Sequence, residues 1–387
     1  MRQPVVYVVP GKESKVYRLR RSIYGQKQSA RCWNRKLSVV LKEMGFEQSA
    51  ADQCLFTAVK SGLKVYLVVY VDDFLVGCKE EKVIKSVYGE LKKHFDINWL
   101  GNVKYFLGQE VKRQQDGIYS LSVKNYIEKL VLKLGLVDAK PVKTPMEQGY
   151  QSGSSKTADS DVMEDSTAYR SVVAALLYIA VCARPDIAKS ASILGRKFSA
   201  PAKSDYLAAK RVVRYLKGTK DWSLKLGGAT GNELQAFSDA DWAGDYQTRK
   251  STTGFVVFYA GGAVSWASRR QGCVSLSSME AEYVALGETC QEVLWRQRLL
   301  EDLGEKQTEP TVIHEDNQGC LSFIRSERES KRSKHIDTKE CFIRDLCEQK
   351  VLALEYCPTD EMRADLLTKP LGAVKHHRFV ESIGLGG

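Results

Sequence analysis

A multidomain chain of mixed α/β and α+β class is predicted by three features of the sequence. Its 387 residues exceed a typical single domain, so two or three are expected. A hairpin pattern of β-branched and aromatic residues surrounds Asp72-Asp73 and is followed by helical periodicity. After Asn232 the pattern becomes a β-β-β-α-β-α succession.

Composition narrows the class further. A hydrophobic fraction of 43% with 6 Trp and 18 Tyr suits packed cores rather than disorder. The 58 basic against 47 acidic residues leave +11 and a pI near 9.0. Such a balance suits a polyanionic partner, and a solvated basic surface has the same composition. The 10 cysteines include no Cys-x-x-Cys pair and none near His at zinc-ligand spacing. Free thiols in a reducing compartment, without structural zinc, are therefore expected. The start, Met1-Arg2-Gln3-Pro4, has no signal-peptide pattern, and no apolar run reaches membrane-spanning length. The expectation is a soluble intracellular protein with no membrane partner.

Along the chain, an amphipathic helix is predicted near Ser29–Met44 and a hairpin around Asp72-Asp73. A helix follows near Glu81–His94, a second hairpin over Lys104–Leu121 and a helix near Lys124–Leu134. Gln148 to Thr167, rich in Ser, Gly, Asp and Glu, has the composition of a linker or long loop. The next stretch, to about Gly231, is helical, with Tyr206, Ala209, Val213 and Leu216 at helical spacing and Gly218 as a stop. Lys210, Arg214 and Lys217 form another face, suited to solvent or to a nucleic-acid backbone. Beyond it come a strand Leu234–Ser238 and a hairpin Gly254–Ser268 turning at Gly261-Gly262. A long helix Ser278–Leu303, a strand Pro310–Glu315 and a short helix follow, then a helix Thr338–Gln349, a strand Val351–Tyr356 and a terminal helix. The expected domains are 1–147, 148–231 and 232–387.

Chemistry is carried by carboxylates. Tyr70-Val71-Asp72-Asp73 places two like charges at a tight turn between strands. Most Asp-Asp pairs at hairpins are turn chemistry. Inside a hydrophobic hairpin, however, adjacent acids suit a divalent metal that bridges them to reacting phosphate oxygens. In the last region Asp239 and Asp316 fall at strand ends, where parallel strands present residues to a cleft. Ser277 and Glu280 form a capping-box pattern that phases the long helix. In that phase Glu282 shares the apolar stripe with Leu286, Cys290 and Val293, and a buried acid must be paired, protonated or bound to a cation. Asp365 opens the final helix. Each acid alone also fits a cap, a turn or a solvated position; their joint occurrence on one framework points to a metal cluster.

Several motifs carry a family resemblance. The run Tyr24 to Trp33 is similar to "LYGLKQSPRxW", and Ser277 to Tyr283 is similar to "SSTEAEY". With them stand Tyr70 to Asp73, Tyr105 to Gly108, Thr144 to Met146, Leu177-Tyr178, Arg184 to Asp186 and Ser238 to Asp245. Asp316 to Gln318, Lys334 to Asp337 and Ala364 to Leu371 complete the set. Together they resemble the C-terminal part of the Pol polyprotein of a copia-type LTR retrotransposon, a reverse transcriptase followed by ribonuclease H, over nearly the whole chain.

The resemblance implies a polymerase palm and thumb, a helical connection and a ribonuclease H-like mixed-sheet domain. Asp72 and Asp73 match the metal-holding palm pair, and Asp239, Glu282, Asp316 and Asp365 match the ribonuclease H tetrad. The implied cofactor is Mg²⁺ or Mn²⁺, and the implied reaction is hydrolysis of RNA in RNA–DNA hybrids. The implied partners are that hybrid, an RNA template with its DNA primer, and upstream Pol segments. Hybrid recognition rests on shape and backbone charge. Lys27, Gln28 and Arg31, with Arg249 and Lys250, are candidate contacts to nucleic acid, the last two equally an ordinary charged turn. His335 matches a family histidine. The parent element implies a cytoplasmic or nuclear location, including a virus-like particle.

Departures from the pattern matter too. The start resembles "YMxQPxGF", downstream of the first palm strand and its acid, so an incomplete polymerase site is expected. Gln26 and Ala30 replace the usual Leu and Pro. Three readings follow: a fragment with competent ribonuclease H, a silent nucleic-acid-binding remnant, or one piece of a longer polyprotein.

Overall fold

The computed structural model describes residues 1–114, 117–150, 162–228, 231–325 and 334–387, the side chains of 334–340 excepted. Most of the predicted linker and the side chain of His335 lie outside the described residues. The chain divides into two compact units, Met1–Gly101 with Asp302–Gly304, and Asn102–Glu301 with Glu305–Gly387. Among the described residues, no helix is long and apolar enough to cross a membrane.

In the first unit, helix α1 (Ser29–Glu43) precedes strands β1 (Glu47–Gln48), β2 (Leu55–Lys60), β3 (Leu63–Tyr70) and β4 (Asp73–Gly77), and helix α2 (Glu81–Lys92) follows. The strands form one sheet in sequence order, each pair antiparallel. Period-two alternation along β3 turns Val65, Leu67 and Val69 into the core, against Leu37, Val40 and Leu41 of α1 and Val83, Val87 and Leu91 of α2. The spacing of four along α2 keeps its three core residues on one stripe.

The second unit holds two further five-stranded sheets. One is wholly antiparallel and joins β5 (Tyr105–Phe106), β6 (Gln109–Arg113) and β7 (Tyr119–Ser122) to β8 (Ser223–Leu226) and the C-terminal β14 (Leu385–Gly386). Between β7 and β8 lie helices α3 (Lys124–Lys133), α4 (Thr167–Cys182), α5 (Ala188–Gly195) and α6 (Lys203–Gly218). Their apolar stripes bury Ile127, Val173, Leu176, Leu194, Val213 and Leu216 in one cluster. The basic face of α6 serves neither solvent nor an outside partner alone. Arg214 Nε donates to the Lys140 carbonyl at 2.8 Å, and Lys217 Nζ to that of Ala139 at 2.8 Å, so both clamp the incoming chain.

The remaining strands are β9 (Leu234–Asp241), β10 (Thr252–Tyr259), β11 (Gly262–Arg270), β12 (Thr311–Glu315) and β13 (Leu352–Tyr356), in sheet order β11-β10-β9-β12-β13. The first three are antiparallel; β9, β12 and β13 are parallel. Helices α7 (Ser278–Leu303, in this unit to Glu301), α8 (Gln318–Arg325), α9 (Lys334–Glu348), α10 (Asp365–Thr368) and α11 (Ala373–Ser382) complete the unit. Phe237, Val256 and Phe258 on the sheet pack with Leu366 and Leu367 of α10 and Phe379 and Val380 of α11.

Four local expectations need correcting. Strand β9 runs on to Asp241, so Asp239 lies within it, because the ladder with β10 continues to the Asp241–Thr252 pair. The β10–β11 turn falls at Ala260-Gly261, both with positive φ (48° and 81°), while Gly262 is already paired in β11. The single terminal helix is two, α10 and α11, with β14 after them. In the helix cap Ser277 Oγ accepts from Glu280 N at 3.2 Å, but Glu280 Oε2 accepts from Leu276 N at 2.7 Å, one residue before the capping-box position.

Candidate metal centre

Parallel pairing of β9 with β12 sets the site. The register Val312–Gln235, Ile313–Ala236 and His314–Phe237 carries the chain so that Asp316 emerges level with Asp239. Helix α7 approaches through small residues, since Ala281 and Ala285 pack on Ala240. That close approach delivers Glu282. One oxygen each from Asp239, Glu282 and Asp316 lies within 4.8 Å of the others.

Two of the three acids are buried. Asp239 is fully buried and Glu282 is 6% exposed. Asp239 Oδ2 accepts the Thr368 hydroxyl hydrogen bond, and Asp316 Oδ2 accepts that of Thr359 at 2.8 Å. Burial raises the Asp239 carboxyl to about 7; Lys369 and Thr368 oppose the rise, and Asp365 and Asp316 add to it. Burial, then Asp239, Glu315 and Asp316, raise Glu282 to about 11.

Glu315 joins the cluster without having stood out in the sequence. It is fully buried, and burial with its acidic neighbours holds it well above the carboxylate range. The alternation Thr311, Ile313, Glu315 on the inward face of β12 is the signal that could have found it. Lys369, Lys375, Thr368 and Thr359 carry no comparable local signal.

Asp365 is placed differently from its three expected companions. Its Oδ1 is 2.7 Å from Lys369 Nζ and its Oδ2 is 2.7 Å from Lys375 Nζ. Lys369 Nζ also stands 3.5 Å from Asp239 Oδ1.

The donor set suits a hard divalent cation. Glu282 Oε2 and Glu315 Oε2 are buried without a hydrogen-bond partner, and clustered buried carboxylates are costly without positive charge. Oxygen-only donors match Mg²⁺ or Mn²⁺ rather than zinc or copper.

In the first unit, Asp72 and Asp73 are exposed at the β3–β4 turn. Tyr70 pairs with Asp73, and Val71 between the strands has φ 54°, an uncommon conformation for a β-branched residue. Trp33 Nε1 donates to the Val71 carbonyl at 2.8 Å, and the Tyr24 hydroxyl donates to Asp72 Oδ2. Both aromatic partners come from the Tyr24–Trp33 block. Lys27, Gln28 and Arg31 are exposed at the start of α1. In the second unit Arg249 is exposed with φ 54°, and Lys250 Nζ donates to the Gly272 carbonyl.

The chain thus carries a mixed sheet with three converging acids and, in its other unit, a Tyr-Val-Asp-Asp hairpin. The family described as reverse transcriptase (RNA-dependent DNA polymerase) matches residues 1–148. The Pol polyprotein of transposon TNT 1-94 from Nicotiana tabacum is 35% identical over 391 residues, covering 100% of this chain and 29% of that protein. That of transposon RE2 from Arabidopsis thaliana is also 35% identical, covering 100% of this chain and 26% of that protein. A Ty5-1 transposon protein of Saccharomyces cerevisiae is 32% identical, covering 76% of this chain and 94% of that protein. A solved foamy viral protease-reverse transcriptase in complex with dsDNA aligns with TM-score 0.49 and 13% identity, over 87% of this chain and 60% of that one. The chain belongs to the Pol polyprotein family of copia-type LTR retrotransposons, and it spans under a third of the length of its plant relatives.

Proposed function

We propose that the second unit hydrolyses the RNA strand of RNA–DNA hybrids with Mg²⁺ or Mn²⁺ held by Asp239, Glu282 and Asp316. The observation that carries this is the convergence of three carboxylate oxygens within 4.8 Å beside the orphaned, buried Glu282 Oε2. When bound, the cation supplies Lewis-acid stabilisation of charge developing on the phosphate. The protein's own groups do the rest. Thr368 holds Asp239 in one orientation, Thr359 holds Asp316, and the sheet keeps water from the inner side of the cluster. Arg249 and Lys250 are assigned to backbone phosphates of the hybrid.

In the same reading Asp72 and Asp73 are the metal-holding pair of an RNA-directed DNA polymerase, with Lys27, Gln28 and Arg31 toward template and primer. Residues 1–147, 148–231 and 232–387 are assigned as palm and thumb, connection and ribonuclease H segments. Upstream Pol segments are the proposed partners of the first.

The test is cleavage of a labelled RNA–DNA hybrid by the purified chain with Mg²⁺ or Mn²⁺, beside Asp239→Asn. Cleavage by the parent and loss of at least ~100-fold in the variant is expected for a group that holds the cation. A folded parent that binds hybrid without cutting it overturns the hydrolytic reading.

A further inference from the structure

Both oxygens of Asp365 are taken by ammonium groups, Lys369 at 2.7 Å and Lys375 at 2.7 Å, and Lys369 also reaches Asp239 at 3.5 Å. Asp239 also belongs to the focus it shares with Glu282 and Asp316, which does not include Asp365. We propose that the Lys369 ammonium is a resident cation between Asp239 and Asp365, so that the cluster loads a single divalent ion on Asp239, Glu282 and Asp316. The inference rests on the hydrolytic reading above.

Several features hold Lys369 in that place. It follows α10, four residues after Asp365, at the spacing where side chains of one helical face meet. Pro370 comes next, and Lys369 has the extended backbone (φ −129°, ψ 141°) that a following proline favours. The preceding residue, Thr368, is tied to Asp239. The stem is therefore aimed at the gap between the two aspartates from a fixed base.

Charge arithmetic points the same way. Asp239, Glu282, Glu315, Asp316 and Asp365 bring five negative charges when ionised, against Lys369 and Lys375. One divalent ion nearly neutralises the remainder. A second would leave the cluster positive before any phosphate arrives, and would be repelled by the Lys369 ammonium. Lys369 acts here as a positioning residue, through Asp239 and Asp365.

The test counts bound Mn²⁺ on the full chain without nucleic acid, from the electron paramagnetic resonance of the unbound ion. The variants are Asp239→Asn, Lys369→Met, Lys369→Arg and the double variant Lys369→Met/Asp365→Asn, with circular dichroism to confirm folding. The parent is expected to take a single ion that Asp239→Asn loses. Lys369→Met is expected to take an additional ion, lost again in the double variant, while Lys369→Arg matches the parent. A parent that loads two Asp239-dependent ions, or a folded Lys369→Met that loads as the parent does, overturns this proposal alone. A parent that loads none overturns it together with the hydrolytic reading.

Discussion

Gly254 lies directly opposite Asp239 across the β9–β10 ladder, and the space where its side chain would stand is filled by α10. A Cβ there would press on the Thr368 methyl, and would meet Leu367 Cβ at 3.0 Å and the Ala364 carbonyl at 3.2 Å. The missing side chain lets the helix carrying Asp365, and Lys369 after it, settle against the strand carrying Asp239. Gly254→Ala is expected to cost about 1–3 kcal/mol by overpacking and to lower hybrid cleavage by shifting Thr368 from Asp239. Thermal unfolding and cleavage rates check the two effects separately; an unchanged melting temperature would show that α10 is not seated as described.

Glu282 gives a prediction of opposite sign with and without metal. Its carboxyl is raised to about 11, chiefly by burial. The folded state therefore holds its proton where the unfolded state, near 4.5, has released it. Metal-free stability should fall as pH rises above that value, and Glu282→Gln should remove this part of the slope. In EDTA at pH 8 the variant is expected to melt no lower than the parent. With Mn²⁺ added, the parent should gain stability by mass action and the variant should not. A variant that melts well below the parent in EDTA would count against a protonated Glu282.

His376 makes the unit sensitive to acid. Its ring Nε2 lies 3.0 Å from the Tyr215 hydroxyl, which donates to Asp186 Oδ2 at 2.7 Å. Burial lowers the imidazole to about 4, with Asp186 opposing. A folded pKa below the unfolded value near 6.5 means that stability is full above 6.5 and is lost as pH falls toward 4, by up to about 3 kcal/mol. His376→Gln should flatten that loss, as melting temperatures from pH 7 to pH 4.5 would reveal.

Arg184 is fully buried beside the same network. Its Nε and Nη2 donate to the two Asp186 oxygens at 2.9 and 2.7 Å, and its Nη1 to the Thr219 carbonyl at 3.0 Å. Arg184→Met leaves the Asp186 carboxylate buried with only Tyr215, and is expected to cost about 3–5 kcal/mol. The double variant Arg184→Met/Asp186→Asn should recover part of that loss in denaturant unfolding. Absence of any recovery would argue that the guanidinium acts through packing on Tyr215 and Trp222 instead.

Much of the candidate site is legible in the sequence. Glu282 stands out because an acid on an apolar helical stripe contradicts the pattern around it, and Asp239 and Asp316 because they close strand-like runs. The β3–β4 hairpin follows from alternation and turn residues, whereas the end of β9 and the β10–β11 turn do not. Asp365 is legible as an acid, but not as one enclosed by Lys369 and Lys375, since Lys375 lies ten residues away on another helix. Glu315 is hidden by its neighbour Asp316, which has the look of the strand end. The Arg184–Asp186–Tyr215–His376 chain joins residues up to 192 positions apart and has no local signature.

The sequence alone determined the class, the family resemblance and the identity of most of the acids. Those depend on local periodicity and on motifs, which are properties of neighbouring residues. Only the tertiary structure decided which acids share one focus, which is tied to lysine, and that the last strand of the chain pairs with β8. Register between distant strands and the depth of burial are set by packing across the whole unit. The charge a carboxylate keeps depends on that depth and on the groups the fold brings against it.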